Sequence, residues 1–222
     1  MKPVLLFAGY DPRESIGFHV FSDSVLEHAT RPVSIVALDS KGLPVGTNAF
    51  TFSRFLVPYL CGFQGHAIFM DGSDMLMLGD IAELDALFDP AFAVQVVRHA
   101  DYETRHERKY VGTRMEAPNG NYARKNWASV MLMNCAHHYW RALDPETLSG
   151  AAGPPLLQFG GLKLSEIGAL PDEWNRLADE GQPLAGAKVL HFTAGIPAFP
   201  AHADAPGADQ WFAARERMLE TT

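Results

Sequence analysis

The sequence predicts an α/β fold, a mostly parallel central sheet flanked by helices, and three observations carry that expectation. Short apolar runs, Val4 to Ala8, Val33 to Leu38, Ala67 to Met70 and Phe92 to Val97, have the length and composition of strands buried on both faces. Between the first two, Phe18 to His28 places Val20, Phe21, Ser24 and Val25 at helical spacing, so the order is strand, loop, helix, strand. Hydrophobic residues make up 47% and charged residues 20% of the 222, a balance that supports a packed core and fits one domain spanning 1–222.

Element by element, Val4 to Ala8 is a central strand broken by Gly9-Tyr10-Asp11-Pro12, and a ligand site is expected beyond the strand C-termini. After the 33–38 strand, Lys41 to Asn48 reads as a Gly/Pro loop and Phe52 to Leu60 as a helix. Ala67 to Met70 runs directly into Asp71, and Asp80 starts a short helix over Ile81 to Leu87. Residues 99–124 are polar and read as a long excursion, of the kind that is functional or mobile in a compact domain. Ser129 to Met133 is a strand ending at Asn134, and Gly150 to Pro155 is a linker. Pro171 to Leu177 is a capped helical turn, Lys188 to Phe192 a last strand, and Trp211 to Glu220 a terminal helix.

Composition narrows the function. A net charge of -8 argues against a nucleic-acid partner, which needs clustered Lys and Arg; Arg105, Arg108 and Lys109 are interleaved with acids and suffice only for a local pocket holding one diphosphate. Cys61 and Cys135 follow no metal-ligand or redox spacing and read as buried free thiols, which points to a reducing, cytoplasmic setting. The first apolar run is too short for a signal peptide. No stretch approaches the about 20 apolar residues that cross a bilayer, so membrane contact is expected to be peripheral at most.

The strongest local signal is the acidic turn Asp71-Gly72-Ser73-Asp74 at a strand end. Paired carboxylates there suit Mn²⁺ or Mg²⁺, hard cations that bridge phosphates, although the same residues also serve as turn or helix caps. His191, ending the Val189-Leu190-His191 run, offers a nitrogen ligand, against the commoner reading of a hydrogen-bonded core histidine. Arg54 in Ser53-Arg54-Phe55 would orient an aspartate or neutralise a phosphate, or else form an ordinary salt bridge.

The series Gly9-Tyr10-Asp11, Ser53-Arg54-Phe55-Leu56-Val57-Pro58, the acidic turn with Asp80-Ile81-Ala82-Glu83-Leu84, and Lys125-Asn126-Trp127-Ala128-Ser129-Val130-Met131-Leu132-Met133-Asn134 resembles glycosyltransferase family eight. Leu170-Pro171-Asp172-Glu173-Trp174-Asn175 and His191-Phe192-Thr193 with Gly195 continue the likeness, over roughly residues 4 to 215. The resemblance implies a GT-A fold and a metal-dependent hexosyl transfer, with retention in the family's manner, from a nucleotide-diphosphate sugar to a glycan or lipid-linked acceptor. It implies a metal held by Asp71, Asp74 and His191, a nucleotide against Gly9, Tyr10 and Asp11, and sugar or nucleotide contacts from Arg54, Asn126 and Asn134. Asp101 and Gln158 are the residues it offers for the reacting sugar. Two departures stand out: the aspartates are three apart where the family has two, and Pro197-Ala198 replaces its Pro-Trp. A non-catalytic nucleotide-sugar binder with a degenerate motif is the alternative. A nucleotidyltransferase is a third reading, unsupported because no Gly-rich, basic phosphate loop follows the first strand here.

Overall fold

The computed structural model describes residues 2–40, 43–44, 46, 48–99, 102–150 and 153–220. In chain order the strands are β1 (Val4–Gly9), β2 (Val33–Leu38), β3 (His66–Met70), β4 (Met75–Met77), β5 (Val94–Val97), β6 (Arg108–Lys109), β7 (Ala117–Pro118), β8 (Val130–Asn134), β9 (Ile167–Leu170), β10 (Arg176–Leu177) and β11 (Val189–His191). The helices are α1 (Ser15–His28), α2 (Val57–Leu60), α3 (Ile81–Asp85), α4 (Pro145–Ser149), α5 (Gly153–Leu157) and α6 (Ala208–Glu220).

The central sheet has the order β2-β1-β3-β8-β5-β9. All its neighbours pair in parallel except β8, which runs antiparallel to both β3 and β5. Alternation along the strands sends Phe7, Phe69, Met131 and Met133 to one core and Leu6, Ala8, Ile68, Val130 and Leu132 to the other. Helix α1 closes the second core with Phe21 and Val25. A smaller sheet, β10-β11-β4, is packed on its outer side by Trp211 and Ala214 of α6.

The structure corrects several expected elements. The run predicted as a last strand, Lys188 to Phe192, forms β11 of the small sheet, where β4, too short to read as a strand, continues directly from the acidic turn and pairs with it. Ile167-Gly168-Ala169-Leu170 gives almost no strand signal yet forms edge strand β9; Gly168 is small because a Cβ there would lie 2.6 Å from both Gln95 and Phe92. Pro171 to Leu177 is a 3₁₀ turn at Asp172–Asn175 followed by β10 rather than helix. Of the Gly150 to Pro155 linker, Gly150 caps the end of α4, residues 151 and 152 lie outside the described residues, and 153–155 open α5. Cys135 is buried, whereas Cys61 is only half-buried. Among the described residues no helix is long and apolar enough to cross a membrane.

Candidate functional site

The acidic turn lies where β3 leaves the sheet. Asp71 N donates to the Ser129 carbonyl, as a last rung on β8, and Ser73 N then turns back to the Asp71 carbonyl at 2.8 Å. Between them Gly72 takes φ 71°, a left-handed conformation that costs a residue with a side chain about 1–2 kcal/mol. This bulge absorbs the residue by which the aspartate spacing exceeds the family pattern. Ser73 fixes the turn to the end of β1: its hydroxyl donates to the Gly9 carbonyl at 3.0 Å and accepts from Asp11 N at 3.2 Å. Gly9 and Gly17 are the surfaces on which this rests. A Cβ at Gly9 would come 2.6 Å from the Asp71 carbonyl, and one at Gly17 would collide with the Ser73 carbonyl.

The result brings Asp71, Asp74 and His191 together, with one ligand atom from each within 4.8 Å of the others. His191 Nε2 stands 3.4 Å from Asp74 Oδ2 and 3.9 Å from Asp71 Oδ2. The imidazole is oriented by Asn175, whose Oδ1 lies 2.9 Å from Nδ1 while its amide nitrogen donates to the Asn126 carbonyl at 3.4 Å. An amide oxygen only accepts, so Nδ1 carries the proton and the Nε2 lone pair faces the carboxylates. On the other flank Arg54 Nη1 pairs with Asp71 Oδ1 at 2.7 Å. The guanidinium also donates to the Ala128 and Thr51 carbonyls and lies over the Phe50 and Phe69 rings.

Burial dominates the electrostatics. It pushes the Asp71 carboxyl up, and Arg54 only partly opposes it. For Asp74 burial is outweighed by the facing imidazole, with Lys109 and Arg54, and its pKa falls; His191 is raised by the two carboxylates against its own burial. Asp74 Oδ1 has no hydrogen-bond partner. Two hard oxygens, one neutral nitrogen and an orphaned buried carboxylate oxygen form a donor set that fits Mn²⁺ or Mg²⁺. A further carboxylate, Glu14, is fully buried nearby with both oxygens unpartnered; burial, then Asp74 and Asp11, drives its pKa well up.

The remaining expected residues divide. Asn126 lines a recess beside Asp71, together with Arg54, Asn48, Thr51, Lys109, Tyr122 and Ser129; its φ is 64°, it is 8% exposed, and its Nδ2 has no partner. Asp11 is fully engaged within the fold, accepting from Arg13 and from Ala49 N, so it anchors a loop. Tyr10 packs edge-on against Phe18 of α1. Asn134 is a correction: β8 runs antiparallel, so its last residue pairs with His66 at the start of β3, the opposite end of the sheet from Asp71. There the Asn134 side chain donates to the Pro90 carbonyl and accepts from Ala136 N. The Gln158 carbonyl accepts from Arg124, and Asp101 lies outside the described residues. Sequence reasoning missed Glu14 and Tyr122, and took Asn175 only as part of a motif. Asn175 had a usable signal in standing where a chain segment precedes the histidine strand; Glu14 had none, since a carboxylate after Pro-Arg reads as solvated.

Beside the recess, and sharing Thr51, Lys109, Tyr122 and Leu157 with it, opens a cavity of about 450 Å³ walled also by Phe52, Asn119, Gly120 and Lys125.

This strand order, with an acidic turn at the end of the third strand, is the GT-A architecture of glycosyltransferases. Solved structures of that class superpose on it. They include the WbbM bifunctional glycosyltransferase (TM-score 0.66, 15% identity, 96% of this chain and 49% of that one) and GlyE of Streptococcus pneumoniae TIGR4 (TM-score 0.64, 13% identity, 99% and 63%). A third is the galactosyltransferase LgtC in complex with donor and acceptor sugar analogs (TM-score 0.59, 14% identity, 96% of each chain). The chain thus spans about half of WbbM and less than two thirds of GlyE. No family model matches the sequence. It belongs to the family of Protein CDI of Arabidopsis thaliana, to which it is 38% identical over 226 residues, covering 95% of this chain and 85% of that protein.

Proposed function

We propose that the protein is a metal-dependent glycosyltransferase that takes a hexosyl group from a nucleotide-diphosphate sugar. The observation that carries this reading is the buried Asp71, Asp74 and His191 cluster, with its ligand atoms within 4.8 Å, at the strand end of a GT-A fold. Bound there, Mn²⁺ or Mg²⁺ would neutralise the diphosphate as it departs. The chain's own residues do the rest. Asn175 holds the His191 tautomer, Arg54 fixes Asp71, and Asn126 presents a free amide donor to the recess in which the sugar is placed. Gln158, next to Leu157 of the cavity wall, and Asp101 are proposed to face the reacting sugar, and transfer is proposed to proceed with retention to a glycan or lipid-linked acceptor.

The test is calorimetry and turnover with nucleoside diphosphates and nucleotide sugars, with and without Mn²⁺. Nucleotide binding should require the metal, and Asp74→Ala should abolish both binding and sugar release; metal-independent turnover unaffected by Asp74→Ala would refute the site. Metal-dependent binding without release of sugar would indicate a binding protein rather than an enzyme.

A further inference from the structure

The 450 Å³ cavity has an unusual charge for this molecule. The chain carries a net charge of -8, yet among the described residues no Asp or Glu walls the cavity, while Lys109 and Lys125 both do. Lys125 is only 4% exposed. Its Nζ donates to two neutral oxygens, Asn119 Oδ1 at 2.6 Å and the Gly120 carbonyl at 3.0 Å, and an ammonium has a third proton to give. Among the described residues neither lysine forms an ion pair. The carboxylate that Lys125 feels, Glu180, is already committed to Tyr102, Thr104 and Arg105 N. Arg54 is likewise spent on Asp71. Half-buried Lys109 feels Asp74 and Glu14 without pairing with either. For Lys125, burial of a cation with no counter-charge in contact is costly, and an incoming anion removes that cost.

We propose that this cavity is the subsite for an anionic group, a carboxylate or phosphate ester, on the acceptor sugar, held by Lys109 and Lys125. A diphosphate held at the metal cluster does not account for Lys125, because Asp71 lines the inner recess and not this cavity, and Lys125 lines only the cavity; Lys109 stands between the two and lines both. The volume accommodates a sugar unit. Assignment to the acceptor rests on the transferase reading of the neighbouring cluster; the charge of the cavity does not.

The probes are glucuronate, glucose 6-phosphate, inorganic phosphate and glucose, titrated into the metal-free protein by calorimetry. The two charged sugars should bind at least about tenfold more tightly than glucose, as expected for charge-assisted hydrogen bonds. They should also bind more tightly than inorganic phosphate, which shows that a sugar and not a bare anion is recognised. Lys109→Met and Lys125→Met should each weaken them about tenfold. Asp74→Ala should abolish Mn²⁺-dependent nucleotide binding and leave charged-sugar binding intact, so the two readings fail separately. Equal binding of glucose, tighter binding of inorganic phosphate, indifference to both lysine substitutions, or loss of binding in Asp74→Ala would overturn the proposal. If Lys125→Met does not fold, Lys109→Met, on a half-buried two-residue strand, decides it.

Discussion

At the scale of single residues, the site depends on orientation as much as on ligand identity. His191 presents its Nε2 lone pair because Nδ1–H donates to the Asn175 amide oxygen, and Asn175 forms no hydrogen bond with either carboxylate. Asn175→Ala should therefore weaken Mn²⁺ binding about 10- to 100-fold while the circular dichroism spectrum stays native, the usual cost of losing a partner that orients a metal-ligating imidazole. An unchanged Mn²⁺ affinity would show that His191 does not depend on that bond. The cluster itself was legible in the sequence, because carboxylates at the end of an apolar run and a histidine closing another are local patterns. The evenness of the two aspartates was not: spacing favoured Asp74 over Asp71, and only the left-handed Gly72 shows how both side chains reach one point. Glu14 was illegible for a different reason, since its burial is created by segments distant in sequence.

At the scale of elements, the acidic turn, the end of β1 and the first turn of α1 are one packed unit. Gly17 sits inside α1, where alanine would ordinarily stabilise a helix by about 1 kcal/mol. Here a Cβ would strike the Ser73 carbonyl, so Gly17→Ala should destabilise instead, by about 1–3 kcal/mol in urea unfolding, and should lower Mn²⁺ affinity by shifting the turn. A neutral or stabilising effect would mean that the contact relaxes freely. Strand existence was readable in the short, largely apolar runs that gave β1, β2, β3, β5 and β8. Direction and sheet membership were not, because periodicity carries neither: β8 reads the same in both senses, and β11 could have joined either sheet. The assignment of Asn134 to the site failed on that one missing fact.

At the scale of the molecule, fold class was legible because composition, strand runs and the helix after β1 all agreed, and the expected single domain is consistent with two cores that share one sheet. Acid sensitivity is a property of that whole. His99 is mostly buried, its Nε2 has no partner, and burial, then His191, lowers its pKa to about 4 from 6.5. The unfolded chain takes up this proton first, so stability is complete above about pH 6.5 and is lost as pH falls toward 4, by about 3 kcal/mol for this group. Melting temperatures measured across that range should fall less steeply in His99→Gln than in the native protein, and parallel curves would exclude His99 as a source.

The reversed β8 has a practical side. Its entry from Lys125 and Asn126 means that both lysines of the charged cavity, with Pro118 to Tyr122 between them, come from one continuous stretch of chain, while Thr51, Phe52 and Leu157 complete the walls from elsewhere. Exchanging residues 108–126 as a cassette between homologues should transfer the anion preference of the cavity, while the acidic turn on β3 stays with its host.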